Sequence, residues 1–314
     1  MPLAASIPLT VAARPPRRVA RSPRPSTSAA MPSPHVARHI PAERLHVSEP
    51  PPHLFGNPPN PGGEKRGWSN ANWLKSRFHF SFAEYSNHKN ASFGVLRVMN
   101  DDLVMPKRGF GEHGHANMEI VTYIVEGRLT HQDSTGTSET LGRGAVQFMT
   151  AGRGVRHSER NLDASKPLRF IQMWIVPNAG GLPPNYGSHE TTREDRSNRW
   201  CRVVSPVPGA GTHAGSAPVQ INQDASISVA ELDPGVALDL DVPPGRQMYL
   251  LCVEGECVHE GAGLGAGFDG GRLARHDAAE LGAGAKLRLV AGAKGAHLLA
   301  VEMKEQRGSG REDL

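Results

Sequence analysis

Cysteine is scarce in this chain: three residues in 314, Cys201, Cys252 and Cys257, with neither a CxxC pair nor the even number of a disulfide framework. They read as reduced, buried thiols in a reducing compartment. Long apolar runs are missing as well. No stretch approaches the roughly 20 apolar residues that span a bilayer, so no membrane role is expected. Acid and lysine are absent from residues 1–42, which carry six arginines: Arg14, Arg17, Arg18, Arg21, Arg24 and Arg38. Setting those six aside leaves 29 basic residues against 31 acidic ones, a net of about −2 with neutral histidine. The basic pI of 9.1 therefore belongs to the leader. The remainder has no basic field with which to hold nucleic acid.

The leader is rich in Ser, Ala, Pro and Arg and lacks the apolar core of a secretory signal. That composition is that of an organelle transit peptide, and the recurrent prolines (Pro15, Pro16, Pro23, Pro25) favour a chloroplast over a mitochondrion. The alternatives are a disordered tail without an address, translation from Met31, and a protein of the cytoplasm or nucleus. Residues 1–62 are read as transit peptide plus disordered linker, the linker running from Pro50 to Gly63.

What the chain has in quantity is glycine (35) and proline (26), the composition of many short strands joined by tight turns. Its length calls for two cores. Arg77-Phe-His-Phe-Ser-Phe alternates as a half-buried strand does. Gly94-Val-Leu-Arg-Val-Met, Ile120-Val-Thr-Tyr-Ile-Val, Ala145-Val-Gln-Phe-Met and Phe170-Ile-Gln-Met-Trp-Ile-Val are short apolar runs between turn-forming residues. A second set begins near Ile227 and includes Met248-Tyr-Leu-Leu-Cys-Val, Lys286-Leu-Arg-Leu-Val and His297-Leu-Leu-Ala-Val-Glu-Met. Two clauses recur. Ile124-Val-Glu-Gly-Arg parallels Cys252-Val-Glu-Gly-Glu, and Leu141-Gly-Arg-Gly-Ala parallels Leu281-Gly-Ala-Gly-Ala. The repetition predicts an all-β protein made of two copies of one barrel. The expected domains are 63–180, a connecting segment 181–217 with one short helix, 218–304, and a tail 305–314.

The chemistry concentrates in the first half. His113-Gly-His115 places two imidazoles at i and i+2, which on a strand face the same way. His157-Ser-Glu159 repeats the pattern with an imidazole and a carboxylate. Two such strands side by side would surround one cation. Imidazoles with a carboxylate suit Fe(II), and equally Zn, Ni, Cu or Mn. Four protein ligands leave two positions open on an octahedral ion and none on tetrahedral zinc. Glu119 competes with Glu159 for the carboxylate position, or else orients a histidine from behind. His131 is expected to point outward from a strand end. His259, His276 and His297 lack this spacing, and the second barrel is read as metal-free.

At these residues the sequence resembles a known family. Asn100-Asp-Asp-Leu-Val-Met-Pro-Lys-Arg-Gly-Phe-Gly-Glu-His-Gly-His-Ala-Asn-Met-Glu resembles the first cupin motif in its pirin form. Val146-Gln-Phe-Met-Thr-Ala-Gly-Arg-Gly-Val-Arg-His-Ser-Glu resembles the second. Phe78-His-Phe-Ser-Phe-Ala-Glu-Tyr and Gln172-Met-Trp-Ile-Val-Pro-Asn are similar to the bacterial pirin-like subgroup. The likeness covers about residues 66–303, firmly in the first barrel and loosely in the second. It implies a bicupin of two jelly-roll-type barrels with one metal, usually iron, held by His113, His115, His157 and Glu159. It thereby selects Glu159 over Glu119. One departure stands out: Arg143-Gly-Ala occupies the place of the family's Pro-Gly-Asp, so a turn carboxylate is missing.

For activity the resemblance implies a quercetin 2,3-dioxygenase. Such an enzyme opens a flavonol or similar aromatic enol with O2 and releases carbon monoxide. Glu159 is the candidate catalytic base for the 3-hydroxyl proton, and Phe110, Met118, Phe148 and Met149 are candidate walls for a flat substrate. The alternative from the same family is a non-catalytic, iron-dependent regulatory protein that docks a protein partner. A zinc-bound sugar isomerase shares the barrel but not these motifs.

Overall fold

A computed structural model of the chain describes residues 37–59, 73–260 and 271–306. The leader up to residue 36, residues 60–63 of the linker and most of the tail lie outside them. Most of the predicted runs become strands; the run Arg77–Phe82 does so only at Arg77 and Phe78, after which the chain bends. In the N-terminal half these are β1 (Ala37–Ile40), β2 (His46–Ser48), β3 (Leu74–Phe78), β4 (Leu96–Val104), β5 (Arg108–His115) and β6 (Glu119–Glu126). They continue as β7 (Leu129–Asp133), β8 (Ser138–Leu141), β9 (Ala145–Thr150), β10 (Val155–Asn161), β11 (Leu168–Ile175) and β12 (Asn185–Glu190). A single-turn helix α1 (Arg193–Arg196), capped by Thr192, leads into the second half. There follow β13 (Cys201–Pro206), β14 (Val219–Ile221), β15 (Ala225–Leu232), β16 (Ala237–Asp241), β17 (Arg246–Glu260), β18 (Arg272–Ala274), β19 (Ala278–Leu281) and β20 (Lys286–Lys304).

The first half is a sandwich. A seven-stranded sheet, β12-β9-β6-β11-β4-β3-β2, faces a four-stranded sheet, β5-β10-β7-β8. The second half is one curled nine-stranded sheet, β1-β19-β17-β20-β15-β13-β14, with β16 along β20 and β18 along β17. The long strands β17 and β20 bend where their register slips, at Cys252/Glu254 and Gly255/Cys257, and so serve both faces of the barrel. The expected all-β architecture of two successive jelly-roll-type cupin barrels is what forms.

Alternation along β6 and β11 explains why both are buried on either face. Val121, Tyr123, Ile171 and Met173 point away from the first barrel into a core shared with Val204, Ile227, Tyr249 and Leu299 of the second half. Ile124 and Phe170 point the other way, against Trp73, Leu129 and Leu141 at one end of the first barrel. The inside of the second barrel is apolar: Leu240, Leu250, Cys252, Leu289 and Leu298 fill it.

The duplicated clauses adopt matching conformations. Gly127 and Gly255 have φ of +78° and +69°, and Gly144 and Gly284 have +83° and +80°. A Cβ on Gly127 would also run into the carbonyl of Pro167, so the repeat is kept in backbone geometry as well as in letters.

Two expectations of organisation are corrected. Part of the segment read as leader and linker is structural, since β1 pairs with β19 and β2 with β3. The connecting segment also holds two strands besides its short helix, with β12 along β9 and β13 along β15. All four are edge or short strands with polar, proline or glycine content, which gives periodicity little to register. The cysteines are all free, Cys252 and Cys257 buried and Cys201 partly so. Burial pushes the Cys257 thiol up to about 12.

Candidate metal centre

The two motifs lie on neighbouring antiparallel strands. β5 and β10 pair with His157 opposite His113 and Val155 opposite His115. The ring centroids of His113, His115 and His157 are 4.6–4.9 Å apart, and one nitrogen from each falls within a common 4.8 Å set. His113 Nδ1 faces the Gly111 carbonyl at 2.8 Å, which directs Nε2 inward. Neither ring nitrogen of His157 has a hydrogen-bond partner, although the residue is 2% exposed. A buried imidazole with two unused nitrogens is costly unless a ligand takes a lone pair. That observation, with the donor set, fits a divalent cation.

Glu159 sits deeper. The ladder slips between His157 and Glu159, so Glu159 lies opposite Phe110 on β5 and opposite His131 on β7. Its carboxylate accepts from Gln147 Nε2 at 2.9 Å, Gln172 Nε2 at 2.7 Å and Thr122 Oγ1 at 3.3 Å, all from the facing sheet. It groups with His157 and His131, not with His113 and His115. The four predicted ligands thus occupy one barrel interior but form two overlapping sets that share His157.

His131 corrects a sequence expectation. It is 1% exposed and points inward. Its ring stacks on Tyr186 at 4.5 Å, lies 5.2 Å from His157, and hydrogen-bonds through Nε2 to Asp133 Oδ2 at 2.9 Å. The signal available in the sequence was His131-Gln-Asp133, a third i, i+2 pair of the same kind. Glu119 proves to face elsewhere, accepting from Thr150 Oγ1 at 2.8 Å and Asn222 Nδ2 at 3.2 Å, and no histidine is hydrogen-bonded to it. His276 and His297 tie the two halves together instead, through Asp101 at 2.6 Å and through Glu254 and Tyr123 at 3.0 Å each. His259 lies on β17, outside either donor set. The departure at Arg143 also bridges the halves: its guanidinium donates to the Val125 carbonyl, Glu231 and Glu254 at 2.6, 3.0 and 2.7 Å.

Burial, with the neighbouring imidazoles, lowers His157 to about 3 and His115 to about 4. Both rings are neutral near pH 7, and their lone pairs are available without first losing a proton. Behind them, burial raises the Asp102 carboxyl to about 8, helped by the negative charges of Asp101 and Glu159. A folded-state value above the unfolded one of about 3.9 means that protonated Asp102 supports the fold at low pH. That support drains away as pH rises from about 4 to about 8. Asp102→Asn is therefore expected to raise stability at pH 8 by on the order of 1–3 kcal/mol relative to wild type, and by much less at pH 4. Urea unfolding at the two pH values tests this; an equal effect at both would refute the assignment.

A cleft of about 390 Å³ opens beside His115, lined by Gly114, Ala116, Ser134, Gly154, Val155 and Arg156. The His115 ring meets the edge of Trp174 at 4.8 Å. Of the four predicted wall residues, Met118 and Met149 belong to the apolar cluster with Ile120, Val155, Trp174 and Tyr186 next to the histidines. Phe110 packs on Phe55 and Trp73 with its ring 6.4 Å from that of His113, whereas Phe148 lies in the core between the halves.

Comparison with known proteins now bears on the site. Residues 63–175 match the pirin family model, and residues 210–303 match that of the quercetinase C-terminal cupin domain. A pirin-like protein of Caulobacter vibrioides is 37% identical over 203 residues, covering 65% of this chain and 85% of that one. The chain belongs to the pirin family. A quercetin 2,3-dioxygenase of Escherichia coli K12 is 39% identical to this pirin-family chain over 163 residues, 52% of this chain and 67% of its own. Among solved structures, Escherichia coli YhhW superposes with a TM-score of 0.69 at 25% identity, covering 87% of this chain and all of YhhW. The same bacterial pirin has been solved in complex with nickel(II), with a TM-score of 0.68. Among the described residues of this pirin-family chain, the histidines of β5, β7 and β10 with Glu159 could hold such an ion.

Proposed function

We propose that this bicupin is a metal-dependent dioxygenase of the quercetin 2,3-dioxygenase type, acting with O2 on a flavonol or similar aromatic enol. In this reading His113, His115, His157 and Glu159 hold one divalent cation, Fe(II) or a similar ion. The observation that carries the reading is the cluster of three imidazoles, His113, His115 and His157, beside a cleft that His115 lines. The similarity to quercetin 2,3-dioxygenases supports the substrate class. A bound cation would supply Lewis-acid polarisation of a substrate oxygen and a route for electrons to O2.

The chain's own groups do the rest. Trp174, held through Nε1 by Gln172 at 3.1 Å, offers an aromatic edge beside His115 against which a planar substrate can lie. Glu159 Oε2 receives one hydrogen bond, from Gln172, and keeps a lone pair for the proton of an enolic hydroxyl. Loss of that proton leaves the electron-rich enolate that O2 attacks.

Iron-loaded protein is expected to consume O2 and release carbon monoxide in the presence of a flavonol, and His115→Ala to abolish both. Absence of flavonol-dependent O2 uptake with iron, nickel, copper and manganese alike would sink the enzyme reading in favour of an iron-dependent regulatory protein.

A further inference from the structure

Of the four residues proposed to hold the cation, His113 and His115 are the outer pair, partly exposed, and His157 and Glu159 the inner pair, buried. What holds the inner carboxylate comes from the facing sheet. A glutamine reaches each of its oxygens: Gln147 donates to Oε1 at 2.9 Å and Gln172 to Oε2 at 2.7 Å.

An amide donates only through its nitrogen, so a glutamine can hold a carboxylate only if its own orientation is fixed. Half a turn of the amide would bring a carbonyl oxygen against Glu159. The two glutamines differ in what prevents this. Gln147 Oε1 faces the Tyr186 hydroxyl at 3.1 Å, but that hydroxyl has one hydrogen, shared with Glu139 Oε2 at 2.9 Å, and it can equally accept. Gln172 Oε1 accepts from Trp174 Nε1 at 3.1 Å. An indole N–H only donates, so it admits the amide one way round, oxygen towards the indole and nitrogen towards the carboxylate.

Gln172 and Trp174 stand two apart on β11 and share the face that looks into the first barrel, while Met173 between them lies in the core common to both halves. The Trp174 ring is held in turn, at 83° against Phe82 and at 80° against His115, with centroids 5.2 and 4.8 Å away. One side chain therefore bears on an outer histidine directly and on the inner carboxylate through a single amide.

We propose that Trp174 is a positioning residue of the metal centre: its indole N–H locks the Gln172 amide, and that amide fixes the plane of the Glu159 carboxylate. The proposal rests on the reading of the four residues as cation ligands. Gln172 supplies the one hydrogen bond that Oε2 accepts, so releasing its amide lets that end of the carboxylate turn.

The test is a double-mutant cycle on Co(II) binding by the chelator-stripped full chain. Equilibrium dialysis with elemental analysis gives the affinity, and the visible spectrum of bound Co(II) reports its geometry. Trp174→Phe keeps an aromatic ring beside His115 and removes the N–H. It is expected to shift the spectrum and to weaken binding about 10–100-fold, the size of effect when a group that orients a ligand is lost. Gln172→Met should do the same. In the Gln172→Met background, Trp174→Phe should change the affinity by about twofold or less, because the amide through which it acts is gone. A tryptophan that served packing alone would show the same loss in both backgrounds. Melting of the metal-free proteins checks folding, and Gln172→Leu or Trp174→Leu replaces a variant that does not fold. Equal losses in both backgrounds, or no loss from Trp174→Phe in the otherwise wild-type chain, overturn the proposal and leave the metal centre standing. Failure of wild type to bind Co(II) overturns the metal-centre reading and the proposal with it.

Discussion

Replacing His157 by alanine is expected to weaken divalent-cation binding by well over 100-fold, more than either His113→Ala or His115→Ala alone. Disturbing a group that merely orients a ligand typically costs about 10–100-fold, so loss of a buried ligand should exceed that. His157 is also the one side chain common to both donor sets, and neither set is complete without it. The outer histidines are partly exposed, and losing one leaves the inner donors in place. Calorimetric titration with Co(II) or Ni(II) measures the ranking directly. Near-equal losses for the three variants would contradict it. The apo fold should tolerate the change, because His157 makes no hydrogen bond that its removal would strand.

The second large effect is on stability. Arg169, on β11, is 1% exposed and grips Asp101 of β4 through Nε at 2.8 Å and Nη2 at 2.7 Å, while Nη2 also reaches the Val253 carbonyl at 2.7 Å. His276 closes on the same carboxylate. Arg169 and Asp101 come from the first half, and Val253 and His276 from the second, so this buried cluster joins the barrels. Burial by itself pulls the Asp101 carboxyl upward. The hydrogen bonds and charge of Arg169, with His276, overcome that and hold it well below the ordinary carboxylate range. Arg169→Ala would leave the carboxylate buried with one histidine for company, a loss of about 3–5 kcal/mol.

The double replacement Asp101→Asn/Arg169→Met should cost far less, because no uncompensated charge remains. The sign with pH follows from the depressed Asp101 value. Its stabilisation is complete above the unfolded value of about 3.9 and fades as pH falls below that. Wild type should therefore lose its advantage over Arg169→Ala in acid. Equilibrium unfolding of the three proteins at pH 7 and pH 3 checks both points. A constant difference between wild type and Arg169→Ala would show that the ion pair is not its source.

The parts of the site that were readable from sequence are those with local causes. His113 with His115, and His157 with Glu159, share faces because strands alternate, and motif spacing reports that without any knowledge of partners. What could not be read depends on pairing across the chain. His131 faces inward because β7 runs beside β10, with residue 131 opposite residue 159, a register fixed by contacts 28 positions apart. The slip between His157 and Glu159 likewise exists only in the ladder, and it separates the carboxylate from the outer histidines. Glu119 illustrates the converse. Its spacing from His115 was suggestive, yet the neighbouring Thr150 and Asn222 claim it. The barrels themselves were legible because apolar runs of six to eight residues recur between turn residues. The edge strands β1, β2 and β12 were not, nor was β13, which ends at a proline, since a strand that is short, polar or proline-bounded leaves little periodic trace.

One of those edges has a bearing on how the chain can be trimmed. Ala37–Ile40 lies along Ala278–Leu281, from the far end of the sequence. A protease that cut beyond Ile40 would peel this ribbon away and bare a row of unpaired amides and carbonyls on β19, a template on which a strand from another molecule can dock. Any truncation that leaves β19 covered therefore has to keep Ala37–Ile40.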